Sequence, residues 1–212
     1  MQRSVFASAA LAASAFLIGA NALPATSSGS ATVSCSSTPL WSNHGLNITE
    51  LLGHSKPGVI ATGTNHNSHD RLLAYRNATE YTSQWAFHVC QFDGVPKTKS
   101  SDDVVYGRLK IYDEACAVVD AYPKLDSGVG EIVWVEACAG KKETAKATRQ
   151  LFSYSKSSKE IQFIGDSASK KSTGVYVFAI HEDDYLPKFP LKEVAIRKAD
   201  TFSSKHYKIT RA

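Results

Sequence analysis

The chain has 212 residues, 24 Lys and Arg against 20 Asp and Glu, 43% hydrophobic residues and four cysteines. That composition supports a globular core and excludes a disordered chain, which needs fewer apolar residues and more net charge. It also lacks the biases of collagen or coiled coil.

Residues 1–22 read as a secretory signal. Met1-Gln2-Arg3 is a short cationic start, Val5 to Gly19 is largely apolar, and Ala20-Asn21-Ala22 offers a small-x-small cleavage pattern. The run is short and rich in Ala and Ser, unlike a membrane anchor, and no later segment is apolar enough to cross a bilayer. Removing it leaves 190 residues, with 23 basic against 20 acidic and a net charge of +3. The expectation is a secreted, extracellular monomer with no membrane span and no nucleic-acid partner.

In that compartment cysteines pair, so Cys35, Cys90, Cys116 and Cys138 are expected to form two disulfides, in any of three connectivities. None sits in a CxxC pair, which argues against a zinc or redox motif. Asn47-Ile48-Thr49 and Asn77-Ala78-Thr79 are N-glycosylation sequons.

From Leu23 to Ser37 the chain is small, polar and aperiodic, so residues 23–44 are assigned to a flexible leader tethered at Cys35, and residues 45–212 to a single domain. Leu46 to Leu52 suits one helical turn. Beyond it, short apolar runs alternate with Gly, Asp, Asn, Ser and Lys clusters, which predicts an all-β domain of about twelve short strands.

The chain also resembles itself. Leu73 to Ser83 aligns without a gap on Val194 to Ser204 at an offset of 121, sharing an Ala-x-Arg-x-Ala core. Ile132-Val133-Trp134 supplies a weaker third copy at an offset of 59 from Leu73-Ala74-Tyr75. Three units of about 60 residues follow, each with two apolar-x-apolar strands. Leu73 and Tyr75 precede Trp85 and Phe87; Ile132 and Trp134 precede Phe152 and Tyr154; Val194 and Ile196 precede Tyr207 and Ile209. Period two puts both members of each pair on one strand face, so all twelve are expected inward.

The central unit, Tyr106 to Gly165, resembles one repeat of the ricin B-type β-trefoil lectins. Gly107-Arg108-Leu109-Lys110-Ile111 leads to Cys116, Glu131-Ile132-Val133-Trp134 leads to Cys138, Gln150-Leu151-Phe152 stands where that family has Gln-x-Trp, and Ile161 to Gly165 opens the next unit. The resemblance implies a pseudo-threefold β-trefoil-like fold, a Cys116–Cys138 disulfide within the unit and, with it, a Cys35–Cys90 bond. It also implies a glycan ligand. The sugar-site pattern departs from the family: Val118 lies two residues after Cys116, Arg149 takes the place of an Asn, and the internal alignment puts Trp134 over the core position Ile196. Asp120, Tyr122 and Trp134 are therefore the candidate ligand-binding residues, with Trp134 expected to pack inward.

No nucleophile elbow, zinc-protease helix, phosphate-binding loop or calcium loop occurs. Gly128-Val129-Gly130 runs into a strand and reads as a turn. His66-Asn67-Ser68-His69-Asp70 has too few ligands for a metal site and reads as a polar loop. Asp102-Asp103 and Glu182-Asp183-Asp184 could supply the carboxylate pair of a polysaccharide hydrolase. Lys141 to Lys171 carries eight basic against three acidic residues, a surface able to attract anionic partners. Taken together these features predict a non-catalytic binding protein with no cofactor and no metal, whose partner is a glycan or an extracellular protein. The alternatives are an effector-like or protease-inhibitor protein on the same scaffold and a polysaccharide hydrolase.

Overall fold

Alternating side chains set the strands in a computed structural model, which describes residues 33–50, 58–64, 70–75, 83–92, 97–99, 101–111, 114–119, 131–165, 176–181, 191–198 and 207–212. In chain order these are β1 (Val33–Cys35), β2 (Trp41–His44), β3 (Leu46–Glu50), β4 (Gly58–Thr64), β5 (Asp70–Tyr75), β6 (Trp85–Phe92), β7 (Val104–Ile111), β8 (Ala115–Val119), β9 (Glu131–Ala137), the helix α1 (Thr144–Thr148), β10 (Phe152–Ser155), β11 (Glu160–Phe163), β12 (Tyr176–His181), β13 (Leu191–Lys198) and β14 (Tyr207–Arg211). Among the described residues the protein is thus all-β, with fourteen strands and one five-residue helix.

Two features account for more strands than expected. The stretch assigned to the leader carries β1 and β2, and Trp41, at its far end, is 6% exposed within the main core. The sheet therefore begins at Val33, because one large indole and the Cys35–Cys90 bond hold a segment whose composition looked unstructured. Asn43 has a φ of 59°, and the register of β2 on β6 shifts between Trp41 and His44, so a β-bulge lies within β2. The helical turn expected at Leu46 to Leu52 is instead β3 up to Glu50. Leu46 and Ile48 both point into the core, and β3 is hydrogen-bonded on both edges, to β4 and β14.

All the ladders are antiparallel. One series runs β2–β6–β7–β10–β11–β14–β3, and only Gly45 separates β2 from β3 in the chain. Three hairpins, β4–β5, β8–β9 and β12–β13, make up the rest, and β5, β9 and β13 also pair with one another. β1 continues along β6.

The main core contains Trp85, Phe87, Phe152, Tyr154, Val194, Ile196 and Ile209, with Tyr207 packed against it, as the alternation requires. The middle unit differs. Val133 is fully buried in this core with Val135 beside it, so Trp134 between them faces the other side of β9 and is half-buried. Ile132 to Val135 is apolar on both faces, and a one-residue slip exchanges the faces, which is why period two misplaced Trp134. The side chains of Leu73, Tyr75 and Ile132 lie outside the described set.

Trp41, Phe87 and Tyr154 pack together, with ring centroids 5.5–6.0 Å apart, and the Arg211 guanidinium lies 5.8–5.9 Å from the Tyr154 and Trp41 ring centroids. A second, smaller cluster joins Val33, Cys90, Phe92, Ala139, Ala147 and Leu151. Gly107 and Gly165 permit close backbone approach: a Cβ on Gly107 would collide with the His88 carbonyl, and one on Gly165 with that of Thr148.

Candidate functional site

The two disulfides are Cys35–Cys90, directly opposed on β1 and β6, and Cys116–Cys138, which ties β8 to the end of β9. Among the described residues no helix is long and apolar enough to cross a membrane. Residues 1–22, Asn77, Asp120, Tyr122, His66, His69 and Glu182 to Asp184 lie outside the described residues. Asn47 is half-buried on β3 between the inward Leu46 and Ile48, so alternation directs it away from the core. Trp134 stands opposite Val118 on β8 and Arg71 on β5, on the face of the β8–β9 hairpin turned away from the main core, where Val118 is fully buried. Of the three candidate ligand-binding residues it alone is placed, and on the face opposite to the one expected.

Gln150, the residue in the Gln-x-Trp position, has no exposed surface and grips the end of β9. Its Oε1 accepts from the Ala139 N–H at 2.8 Å and its Nε2 donates to the Ala137 carbonyl at 3.1 Å, bracketing Cys138. Backbone that has left a ladder but stays buried needs such partners. The neighbouring Arg149 carbonyl accepts from the Val119 N–H at 2.9 Å, which fixes the end of β8.

A separate cleft of about 290 Å³ is lined by Ser36, Thr38, Pro39, Leu40, Val89, Lys99, Val105 and Lys156. One wall is the link between β1 and β2. Ser36 N–H donates to Val89, Leu40 N–H to Phe87, and His88 Nδ1–H to the Ser36 carbonyl, all at 2.8 Å. The opposite wall is braced by the two aspartates. Asp102 Oδ2 accepts from the Lys99 N–H at 2.6 Å, while Lys156 Nζ donates to the Asp102 carbonyl at 2.5 Å. Asp103 accepts from the Ser157 N–H at 2.8 Å and from the Ser155 and Ser157 hydroxyls at 3.0 and 3.1 Å. These bonds, the Ser157 N–H first, hold the Asp103 carboxyl below its ordinary pKa.

Both aspartates therefore cap turns, and Asp103 is poised opposite to a general acid, which needs a raised pKa. The cleft floor reaches the core at Val105 and Val89, while Leu40 on its rim and the nearby Val104 are 39% and 41% exposed. This arrangement can take an apolar group with a negative charge beside it. Sequence reasoning missed it because five separate segments contribute its lining and none forms a motif. Among the described residues no three His, Cys, Asp or Glu side chains gather as a metal site. No family model, no curated protein and no solved structure matches the chain.

Proposed function

We propose that the protein is a secreted, non-catalytic binding protein on a β-trefoil scaffold, and that a glycan is held beside Trp134, on the face of the β8–β9 hairpin turned away from the main core. The scaffold reading is supported by the ladder series that returns from β3 to its neighbour β2, and by the three hairpins whose inner strands pair mutually. With β2 and β3 taken as one strand bent at Gly45, such an arrangement suits a short six-stranded barrel capped by three hairpins, which leaves few free strand edges.

The observation that supports the ligand assignment is the half-buried position of Trp134 on the face of β9 turned away from the main core. The part of an indole left accessible can cover the apolar side of a sugar ring, while neighbouring polar groups hold its hydroxyls. Asp120 and Tyr122, which follow β8 in the sequence and lie outside the described residues, are the groups to which this reading assigns that task. A glycan array followed by titration calorimetry on residues 23–212 tests it. Trp134→Ala is expected to weaken binding at least about tenfold, roughly 1.4 kcal/mol, measured under conditions where circular dichroism shows the variant folded. Silence across diverse glycans, or equal affinity in the variant, refutes the lectin reading and leaves the scaffold intact.

The cleft favours a second reading, an effector-like or protease-inhibitor protein, because exposed Leu40 and Val104 beside Lys99 and Lys156 suit an apolar side chain with an acidic neighbour. Inhibition of common proteases that Leu40→Asp abolishes is the expected result. Inhibition unaffected by that change, or none at all, removes this reading.

A further inference from the structure

Arg108 on β7 is 6% exposed, an unusual position for a guanidinium. Its Nη1 donates to the Ala139 carbonyl at 2.8 Å, and its central carbon lies 5.8 Å from the centre of the Phe92 ring. Both neighbours belong to the second apolar cluster. The Nε and Nη2 atoms are buried and have no hydrogen-bond partner among the described residues.

Those two nitrogens are not an arbitrary pair. They form one edge of the planar guanidinium, where two N–H bonds point the same way and match two oxygens of a carboxylate, phosphate or sulfate. An ionised group removed from water without an opposite charge is strongly disfavoured, and Arg does not escape by losing its proton. Burial does press on the Arg108 pKa from above, with the Glu143 carboxylate opposing the shift. Glu143 is itself engaged elsewhere, its Oε2 accepting from the Gly140 N–H at 2.6 Å.

We infer that the Nε–Nη2 edge of Arg108 is an oxyanion site, which takes one carboxylate, phosphate or sulfate side-on. The occupant completes the hydrogen bonding of a side chain that already joins β7 to the segment after β9 and to the end of β6. Two sources share the required chemistry: a small free oxyanion, or the Glu143 carboxylate after it leaves Gly140. This site is independent of the β8–β9 surface and of the glycan assignment.

The test uses the mature chain, labelled with ¹⁵N-arginine, titrated with phosphate or acetate against chloride at constant ionic strength. With a free oxyanion as occupant, the Arg108 Nε resonance moves saturably. The melting temperature then rises by about 5–10 °C at roughly a hundredfold excess over the dissociation constant. Arg108→Lys, which keeps the charge and loses the paired edge, abolishes the rise. With Glu143 as occupant, the wild type does not respond and Glu143→Gln creates the response. The inference is overturned if Arg108→Lys shows the wild-type rise, which marks a general salt effect, or if the Nε resonance moves in neither wild type nor Glu143→Gln, which leaves only water at the site. Should Arg108→Lys not fold, the Nε titrations of the other two proteins decide alone.

Discussion

Replacing Gln150 by Leu probes the bracket that joins the end of β9 to the chain entering β10. Leu retains a similar volume, so little cavity forms, and the loss falls on hydrogen bonding. Two bonds disappear, those to the Ala139 N–H and the Ala137 carbonyl, each worth about 1 kcal/mol net. Their fates differ. Ala137 is exposed and its carbonyl can turn to water, whereas Ala139 is 5% exposed and its N–H is left buried without a partner, a further cost of about 1–3 kcal/mol. Arg108 still holds the Ala139 carbonyl, so the segment does not come free. The expected loss is about 2–4 kcal/mol, a fall in melting temperature of roughly 5–15 °C for a domain of this size. Urea unfolding followed by tryptophan fluorescence measures it, and an unchanged m-value confirms that the native state alone was altered. A loss below about 0.5 kcal/mol, the level of an ordinary surface change, refutes the claim that Gln150 supports this corner.

Other perturbations have equally definite outcomes. The Cys116–Cys138 bond spans 22 residues and Cys35–Cys90 spans 55, so paired Cys→Ser changes are expected to cost about 3 and about 4 kcal/mol respectively by loop-closure entropy. Identical urea midpoints with and without the bonds would contradict this. Because the Asp103 carboxyl is held below its ordinary pKa, the unfolded chain takes up that proton first as pH falls. The stabilisation is therefore complete above about pH 4 and is lost as pH drops through the lower folded value. Asp103→Asn should flatten that part of the acid melting profile, and parallel profiles would count against the Ser155 and Ser157 bonds. Gly107→Ala drives a methyl into the His88 carbonyl and is expected to cost about 3 kcal/mol or prevent folding. Gly140→Ala, where the nearest atom is Glu143 Oε2 at 3.4 Å, should stay within about 0.5 kcal/mol, and similar midpoints for the two variants would refute the contrast.

How much of this was legible in the sequence depended on where one face of a strand was unambiguous. Trp85-Ala86-Phe87 and Phe152-Ser153-Tyr154 carry large rings two apart around small residues, so only one face suits the core, and both pairs lie there. Four consecutive apolar residues from Ile132 to Val135 removed that distinction, and Trp134 fell on the other side. Trp41-Ser42-Asn43-His44 showed no alternation because a left-handed residue interrupts it. Arg108 stood in Gly-Arg-Leu-Lys-Ile with no role assigned, and nothing local signalled that the chain around Ala139 and Phe92 would cover it. Local pattern reports a face. It does not report what later folds over that face.

The pairing of β3 with β14 has a consequence for biosynthesis. Leu46 meets Arg211, so one edge of β3 stays without its partner until more than 150 further residues have been made, about 10–30 s at ordinary translation rates. Through that interval an edge backed by Leu46 and Ile48 is open to wrong partners, including its equivalent on a neighbouring nascent chain. Yield in vivo should therefore depend on how well the emerging chain is shielded by chaperones, and a separately supplied peptide matching β14 should occupy the waiting edge.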